Sequence, residues 1–230
     1  MIELPIDYAE VEAIYSQTIG SGYKTIAITS ANSGEGKSIV AQAIVQRSCA
    51  IGKKVLLVDT NTYNPIFEEK DHNCSDSDND NVSINIRDKG FSYLPPPKNI
   101  NDRFKYREVD FLKESVDNWL EKFDCVIFDT ISLNSKNKKN IPADIVCEVC
   151  SGTILVVEAG VTPENQILEC IDKLNVKNVN LIGTVLNDNK NKTLLEELQR
   201  ETHRLDKYLP NIMIKLRKIL SRLVILNVSI

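Results

Sequence analysis

A short stretch near the N-terminus, residues 30–38 with the sequence SANSGEGKS, constrains the fold more than any other part of the chain. It follows an apolar, β-rich run, residues 25–29, and precedes a segment with helical spacing of its apolar residues. Gly34 and Gly36 allow backbone conformations that are closed to other residues, so that successive N–H groups can point inward at an anion. The order of strand, glycine-rich turn and helix therefore predicts a phosphate-binding loop at a helix N-terminus.

Two side chains of this loop fit the chemistry of a nucleoside triphosphate. Lys37 can reach the β- and γ-phosphates, and the Ser38 hydroxyl can ligate Mg²⁺. Ala31 stands where the pattern G-x-x-x-x-G-K-[ST] has its first glycine, so a strict motif scan would miss the loop. A glycine-rich turn that contains GKS by chance is the alternative, but strand, turn and helix are all in register. The predicted phosphate-binding residues are Ser33, Gly34, Glu35, Gly36, Lys37 and Ser38.

Two carboxylates follow apolar strands at the point where each strand ends. Residues 55–58 lead into Asp59, and residues 126–128 lead into Asp129. The carboxyl ends of parallel strands meet at one edge of a sheet, where carboxylates beside a phosphate loop can hold Mg²⁺ or its waters. A carboxylate after a strand can also simply cap the next turn. Together with the loop, the two strand ends favour a magnesium site formed by Ser38, Asp59 and Asp129.

Short β-rich runs alternate with helical patterns along most of the chain. Their near-continuous apolarity is typical of central parallel strands that are covered on both faces. The alternation predicts a single α/β domain over residues 1–230, a doubly wound, mainly parallel sheet with helices on both faces. The predicted strands are residues 25–29, 55–58, 91–94, 125–128, 153–157 and 181–186; the predicted helices are residues 38–51, 111–123 and a third, with Thr162 as its N-cap, that ends near residue 174.

Composition excludes some classes of function. A net charge of −4 argues against non-specific coating of nucleic acid, which needs clustered Lys and Arg. No apolar run reaches the roughly 20 residues that span a bilayer, and the acidic N-terminus is unlike a secretory signal, so we expect a cytoplasmic protein. The six cysteines lie in hydrophobic segments and fit reduced core residues. Cys147 and Cys150 form a C-x-x-C, for which a redox or metal role is the weaker alternative.

Two segments depart from the alternating pattern. Residues 68–81, EEKDHNCSDSDNDN, predict a mobile acidic surface loop. Their D-x-D-x-D run invites a calcium interpretation, but Asn81 and Arg87 occupy the positions where an EF-hand loop requires Gly and Glu. Residues 211–230 form a basic amphipathic segment that can lie on an anionic membrane through residues 211–226. The alternative, which we favour, is a helix packed on the sheet with its basic face in water.

Four segments in order, ITSANSGEGKS, VLLVDTNTYNP, FDCVIFDT and LIGTVLND, resemble the deviant-Walker P-loop ATPases, which include the ParA and MinD proteins. They look most like the bacterial tyrosine kinases and the ATP-binding modules of capsule and exopolysaccharide synthesis. The match extends over residues 23–188. The resemblance implies a P-loop NTPase fold of deviant-Walker type, with ATP and Mg²⁺ as cofactors.

The resemblance also implies roles for individual residues. Lys37 corresponds to the phosphate-binding lysine and Ser38 to the magnesium hydroxyl. Asp59 matches the first Asp of the second Walker motif, and Asp129 matches the Walker B Asp, which makes Lys37, Asp59 and Asp129 the predicted catalytic residues. Asn187 matches the Asn that contacts adenine in this superfamily, although a simple turn residue is the alternative.

The sequence departs from these relatives at three places. Asn32 stands where the ParA and MinD dimer uses a lysine that reaches the partner's nucleotide, so a dimer of that kind is not expected. Asn61 replaces the second carboxylate of the kinases' D-x-D, a loss that would slow phosphoryl transfer. The C-terminal tail lacks the kinases' tyrosine cluster, and residues 10–17 lack the arginines of their oligomerising helix.

These observations predict a cytoplasmic, MgATP-binding module of exopolysaccharide or capsule synthesis that acts as a slow or regulatory ATPase. Two alternatives remain open: an active protein-tyrosine kinase, and a ParA- or MinD-like positioning module that acts at a membrane. A nucleotide-free scaffold is the bland alternative. The expected partners are a membrane polysaccharide co-polymerase or another membrane complex, together with further copies of the chain, and no nucleic acid is expected. A peripheral position at the inner face of the membrane is compatible with this role.

Overall fold

A computed structural model of the chain describes residues 4–67, 84–86, 90–135 and 140–188, together with residues 202 and 213. The chain divides into two compact units, one formed by Met1–Val157 with Thr162–Val185 and the other by Glu158–Val161 with Leu186–Ile230. The single domain over residues 1–230 therefore stays a prediction. The predicted acidic loop, residues 68–81, lies outside the described residues, as does residues 211–230 apart from Met213.

The described strands form one seven-stranded sheet in the order β3-β4-β2-β5-β1-β6-β7. The pairings of β1 with β5 and β6, and of β2 with β4 and β5, are parallel, whereas β3 pairs antiparallel with β4. The strands are β1 Thr25–Ser30, β2 Val55–Asp59, β3 Ile84–Ile86, β4 Phe91–Leu94, β5 Cys125–Asp129, β6 Gly152–Glu158 and β7 Leu181–Asn187.

Helices cover both faces of this sheet, so the predicted α/β, doubly wound fold is confirmed. Successive strand residues point to opposite faces. On one face, Ile26 and Ile28 of β1 share a buried core with Ile44; on the other, Ala27 and Phe128 share a second core with Trp119. The described α-helices are α1 Ala9–Gln17, α2 Lys37–Ala50, α3 Ile100–Lys105, α4 Val109–Leu120, α5 Ala143–Val149 and α6 Glu164–Val176.

Three local features differ from the expectations from sequence. The short edge strand β3 and the helix α3 were not predicted, since neither has an apolar pattern long enough to be distinctive. Asn99 caps α3, because its side-chain oxygen accepts a hydrogen bond from the Asn101 N–H over 3.0 Å. The predicted N-cap role of Thr162 is wrong: α6 begins at Glu164, and the Thr162 hydroxyl donates to another partner, described below.

The described cysteines behave as core residues. Cys147 is fully buried near the end of α5 and Cys150 is buried just after it, both as free thiols. Burial raises the pKa of Cys147 to about 12. Within the described ranges, no helix is both long and apolar enough to cross a bilayer.

Candidate functional site

The loop between β1 and α2 has the backbone of an anion-binding turn. Gly34 and Gly36 have φ angles of +88° and +91°, in the left-handed region that favours glycine. A Cβ atom on Gly34 would meet nothing within 4 Å, so its conformation, and not lack of space, requires glycine. Gly36 directly precedes Lys37, the first residue of α2. The loop therefore leads into free N–H groups and the positive end of the helix dipole.

The alanine that replaces the first glycine of the motif is part of the core. Ala31 is fully buried and packs in a cluster with Leu155, Val157 and Cys170. A methyl group is therefore accommodated at this position, because the space beyond it is filled by side chains of β6 and α6. The departure from the strict motif leaves the rest of the loop intact.

Ser38 and Asp129 are brought together by the first turn of α2 and the end of β5. The Ser38 hydroxyl donates a hydrogen bond of 2.7 Å to Asp129 Oδ2. Asp129 is 1% exposed, and its second oxygen, Oδ1, is buried and accepts no hydrogen bond from any residue that the structure describes. A buried carboxylate oxygen without a donor is rare and calls for a ligand. Oxygen ligands of this kind are those that Mg²⁺ prefers, so the residues fit a magnesium ion.

The same environment changes the acidity of Asp129. Burial raises its pKa to about 6, and the charge of Lys37 and the hydrogen bond from Ser38 act in the opposite direction. Lys37 is itself 7% exposed, so its charge acts through little water. The site thus holds a carboxyl group that a cation would convert to its charged form.

Asp59 ends β2 and is held by its own surroundings. Its Oδ1 accepts from the Asn61 N–H over 2.8 Å, and its Oδ2 accepts from the Ile66 N–H over 2.7 Å and from the Tyr93 hydroxyl over 2.9 Å. A carboxylate can accept about four hydrogen bonds, so these donors occupy most of its capacity. Asp59 closes the loop after β2 onto itself, in addition to any role toward a metal or nucleotide.

Asp59 and Asp129 are register partners on neighbouring parallel strands. Burial, followed by the charge of Asp129, raises the pKa of Asp59 to about 7, against the opposing effect of its hydrogen bonds. Burial and the charge of Asp59 also raise the pKa of the Tyr93 phenol. Two buried carboxyl groups side by side resist simultaneous ionisation unless a positive charge joins them.

The loop after β2 is tied to the segment after β5. Asn61 Oδ1 accepts from the N–H groups of Tyr63 and Asn64, each over 3.3 Å, so its side chain closes a local turn. Thr62 N–H donates over 2.8 Å to Oδ1 of Asn140, which is 3% exposed. The Asn140 backbone oxygen in turn accepts from Arg107 over 2.8 Å. These contacts hold the two carboxylate-bearing edges in place.

The acidic residue of the phosphate loop points away from the loop's open side. Glu35 is 2% exposed, and its Oε2 accepts from the Asn32 N–H over 3.0 Å. Its Oε1 accepts from Asn32 Nδ2 over 3.0 Å and from the Thr162 hydroxyl over 2.6 Å. Asn32 Nδ2 also donates to Gln166 Oε1 on α6 over 2.7 Å. Asn32 is thus committed within its own chain.

The structure brings together most of the predicted site but not all of it. Lys37, Ser38 and Asp129 meet as expected, with Asp59 on the adjacent strand. Ser33 and Gly34 are exposed at the tip of the loop. Asn187 ends β7 in the second unit, where its backbone oxygen accepts from the Ala159 N–H over 2.8 Å. Its contact with adenine stays a prediction.

Four polar residues around the site were missed by the sequence analysis. They are Tyr93, Asn140, Thr162 as a hydrogen-bond donor, and Gln166. One signal was available for part of this set: a glutamate inside a phosphate loop needs internal donors, because its charge opposes that of the ligand. The other contacts join residues that are far apart in the chain.

Comparisons of sequence with known proteins give one consistent group. No family model matches the chain. The tyrosine-protein kinase YwqD of Bacillus subtilis (strain 168) is 27% identical over 180 residues, which are 73% of this chain and 73% of the relative. The tyrosine-protein kinase CpsD of Streptococcus agalactiae serotype III (strain NEM316) is 22% identical over 182 residues, 74% of this chain and 77% of the relative. The resemblance to bacterial tyrosine kinases is confirmed.

Solved structures extend the comparison to the fold. The kinase domain of Escherichia coli tyrosine kinase ETK matches with a TM-score of 0.64 and 18% identity, over 84% of each chain. Cobyrinic acid a,c-diamide synthase from Mycobacterium smegmatis, with bound ATP analog and magnesium, matches with a TM-score of 0.53 and 17% identity, over 71% of this chain and 74% of that one. A plasmid partition protein from Borrelia burgdorferi matches at 0.53 and 20%, over 78% and 88%. The chain has the P-loop NTPase fold that was predicted.

Proposed function

We propose that this chain, similar in sequence to bacterial tyrosine kinases and in fold to the deviant-Walker ATPases, binds MgATP through residues 30–38 and turns it over slowly or uses it as a regulatory signal. The observation that carries the proposal is the pair Ser38 and Asp129. A hydroxyl at a helix N-terminus and a buried carboxylate with one oxygen unpartnered in the described part of the chain form half of a magnesium site. A scaffold with no ligand would have little reason to keep that oxygen buried.

The phosphate end of the site is supported by the loop backbone. Gly34 and Gly36 turn successive N–H groups toward the space above the N-terminus of α2, and Lys37 adds a full positive charge there. We assign the β- and γ-phosphates to this region, with Ser33, Glu35 and Gly36 contributing backbone N–H groups. The solved relative that holds an ATP analog with magnesium has the same fold, which supports this assignment.

The metal end of the site consists of Ser38, Asp129 and, on the next strand, Asp59. Bound Mg²⁺ would neutralise negative charge on the β- and γ-phosphates. Ser38 and Asp129 hold their oxygens in one place before any ligand arrives, which lowers the cost of assembling the site. Asp59 lies beside them, and in phosphoryl transfer its carboxylate would orient the attacking hydroxyl or water.

Slow turnover is supported by Asn61. Bacterial tyrosine kinases, as the motif resemblance implies, carry a second carboxylate at this position. Here a neutral carboxamide closes a turn with Tyr63 and Asn64. The catalytic edge therefore has one negative charge fewer with which to hold the metal or accept a proton.

An active protein-tyrosine kinase is the second candidate function. It is favoured by the sequence similarity to YwqD and CpsD, which are tyrosine-protein kinases. In either case we propose that the chain works at the cytoplasmic side of a membrane complex of exopolysaccharide or capsule synthesis, with a membrane polysaccharide co-polymerase as its partner. The positioning role through residues 211–226 stays a prediction, since those side chains lie outside the described residues apart from Met213.

Calorimetric titration with MgATP tests the main proposal. The wild-type chain should bind, Lys37→Ala should bind far more weakly, and Lys113→Ala, which removes an exposed lysine on α4, should bind like the wild type. Absence of heat, together with no displacement of a fluorescent ATP analogue, would overturn the proposal.

A second assay separates the two candidate functions. The chain and a tyrosine-bearing acceptor are incubated with ATP labelled on the γ-phosphate. Phosphotyrosine that is lost in Asp59→Ala would favour the kinase, whereas release of free phosphate without phosphotyrosine would favour the ATPase.

A further inference from the structure

The phosphate loop contains a negative charge at its centre, at Glu35. A carboxylate facing the loop's open side would repel a triphosphate, and a buried carboxylate without donors would be costly. The side chain avoids both outcomes, since it is 2% exposed and turned toward α6. The way in which it is held therefore bears on how the loop binds anions.

One set of contacts closes the turn from Asn32 to Glu35. The carboxylate accepts from both the backbone N–H and the side-chain Nδ2 of Asn32, each over 3.0 Å. The Ser30 hydroxyl donates to the Asn32 backbone oxygen over 2.7 Å. The residue that begins the loop is thus fixed at its N–H, its carbonyl and its carboxamide.

A second set of contacts joins this turn to the start of α6. The Thr162 hydroxyl donates to Glu35 Oε1 over 2.6 Å, and Gln166 Oε1 accepts from Asn32 Nδ2 over 2.7 Å. Thr162 and Gln166 are one helical turn apart, so both side chains reach the loop from the same end of the helix. We call Asn32, Glu35, Thr162 and Gln166 the loop clamp.

We infer that Glu35 is a positioning residue for phosphate binding: held by Asn32 and Thr162, it fixes the turn whose backbone N–H groups meet the phosphates. This inference rests on the proposed function. A flexible glycine-rich loop would lose conformational entropy when it closes on a ligand, whereas a loop already held by the clamp loses less. The carboxylate acts through the Asn32 backbone and makes no contact with the nucleotide.

The clamp offers substitutions that change one contact at a time. Glu35→Gln keeps the size of the side chain but places an amide NH₂ against a hydrogen-bond donor, whichever way it turns. Thr162→Val removes the hydroxyl, and Thr162→Ser restores it. Glu164→Gln makes the same chemical change as Glu35→Gln on an exposed residue of α6 and serves as the control.

Calorimetric titration of the full chain with MgATP tests the inference. We expect Glu35→Gln to weaken MgATP binding about tenfold and Thr162→Val to weaken it several-fold, with Thr162→Ser close to the wild type. The double variant should bind no more weakly than Glu35→Gln, because both substitutions break the same contact. Glu164→Gln should leave the affinity unchanged. Thermal unfolding of each variant above the assay temperature checks that the chain remains folded.

The outcomes separate this inference from the proposed function. A wild-type chain that binds no MgATP would overturn both. A wild-type chain that binds, together with Glu35→Gln and Thr162→Val variants of equal affinity, would overturn the role of Glu35 alone. Additive losses in the double variant, or a Thr162→Ser variant as weak as Thr162→Val, would also overturn it, since a general loss of structure would then explain the data.

Discussion

Asp59 and Asp129 lie opposite each other as register partners at the carboxyl ends of β2 and β5, and each is 1% exposed. The two carboxyl groups differ in their partners. Asp59 receives hydrogen bonds from its own loop and from Tyr93, whereas Asp129 is bound by Ser38 through one oxygen only. One aspartate therefore fastens the edge of the sheet, and the other keeps an oxygen for a ligand.

The paired aspartates predict a stability that falls as pH rises. Their pKa values are raised to about 7 for Asp59 and about 6 for Asp129, so between about pH 5 and pH 8 the folded state holds protons that the unfolded state releases. The free energy of unfolding should therefore decrease over this window. Asp129→Asn should flatten the curve, with a difference from the wild type that grows by about 2–3 kcal/mol toward high pH.

Urea unfolding in metal-free, nucleotide-free buffer measures this effect. Trp119, the single tryptophan, is buried in the second core and reports unfolding by its fluorescence. A stability that rises with pH over the same window, or an Asp129→Asn curve as steep as that of the wild type, would contradict the pairing.

The hydroxyl of Tyr93 predicts a second effect on stability. Tyr93→Phe keeps the edge-to-face contact with Phe67, whose ring centroid lies 4.9 Å away, but removes a donor from Asp59 Oδ2. A hydrogen bond to a charged group stabilises more than one to a neutral group, so the loss should be about 1–3 kcal/mol at high pH and smaller where Asp59 is protonated. Urea unfolding of Tyr93→Phe at both pH values checks it. Tyr8→Phe, at an exposed tyrosine, should change nothing; equal losses at both pH values would count against the contact.

The Ser38 hydroxyl predicts a magnesium-dependent defect. Ser38→Ala removes the ligand that faces Asp129 Oδ2, so binding of ATP in the presence of Mg²⁺ should weaken about tenfold or more, and binding in EDTA should change much less. Titrations with and without Mg²⁺ give the two values. Ser16→Ala, in the exposed face of α1, is the matched control. A loss of the same size with and without the metal would place the hydroxyl on the phosphates instead.

Asn61 predicts a gain of activity. Asn61→Asp restores the second carboxylate of the kinase-type motif, and its oxygen can still accept from Tyr63 and Asn64. We expect phosphate release to rise about tenfold at saturating MgATP, since an added carboxylate can help to hold the metal or accept a proton. Steady-state phosphate release measures it. Asn64→Asp adds the same charge at an exposed neighbour, and equal gains in both variants would show that charge alone is responsible.

The sequence predicted the parts of the fold that depend on local signals. The six runs of apolar residues became β1, β2, β4, β5, β6 and β7, and the glycine-rich turn lies between β1 and α2 as expected. Asp59 and Asp129 could be placed at one edge because parallel strands end together. The edge strand β3 was missed, because its three residues pair with β4 only through the tertiary arrangement.

The strand order and the use of each site side chain were decided by the tertiary structure. The placement of β5 between β1 and β2 makes Asp59 and Asp129 neighbours, buries both and raises their pKa values, and no local pattern specifies that order. Glu35 and Thr162 are 127 positions apart in the chain, so the contact that turns the loop's carboxylate away from a ligand exists only after folding. By itself the sequence determined which groups can bind phosphate and magnesium, since residue type and local spacing set that chemistry. Which of those groups remain free to bind was settled by packing, because hydrogen bonds within the fold already occupy Asn32, Glu35 and most of Asp59.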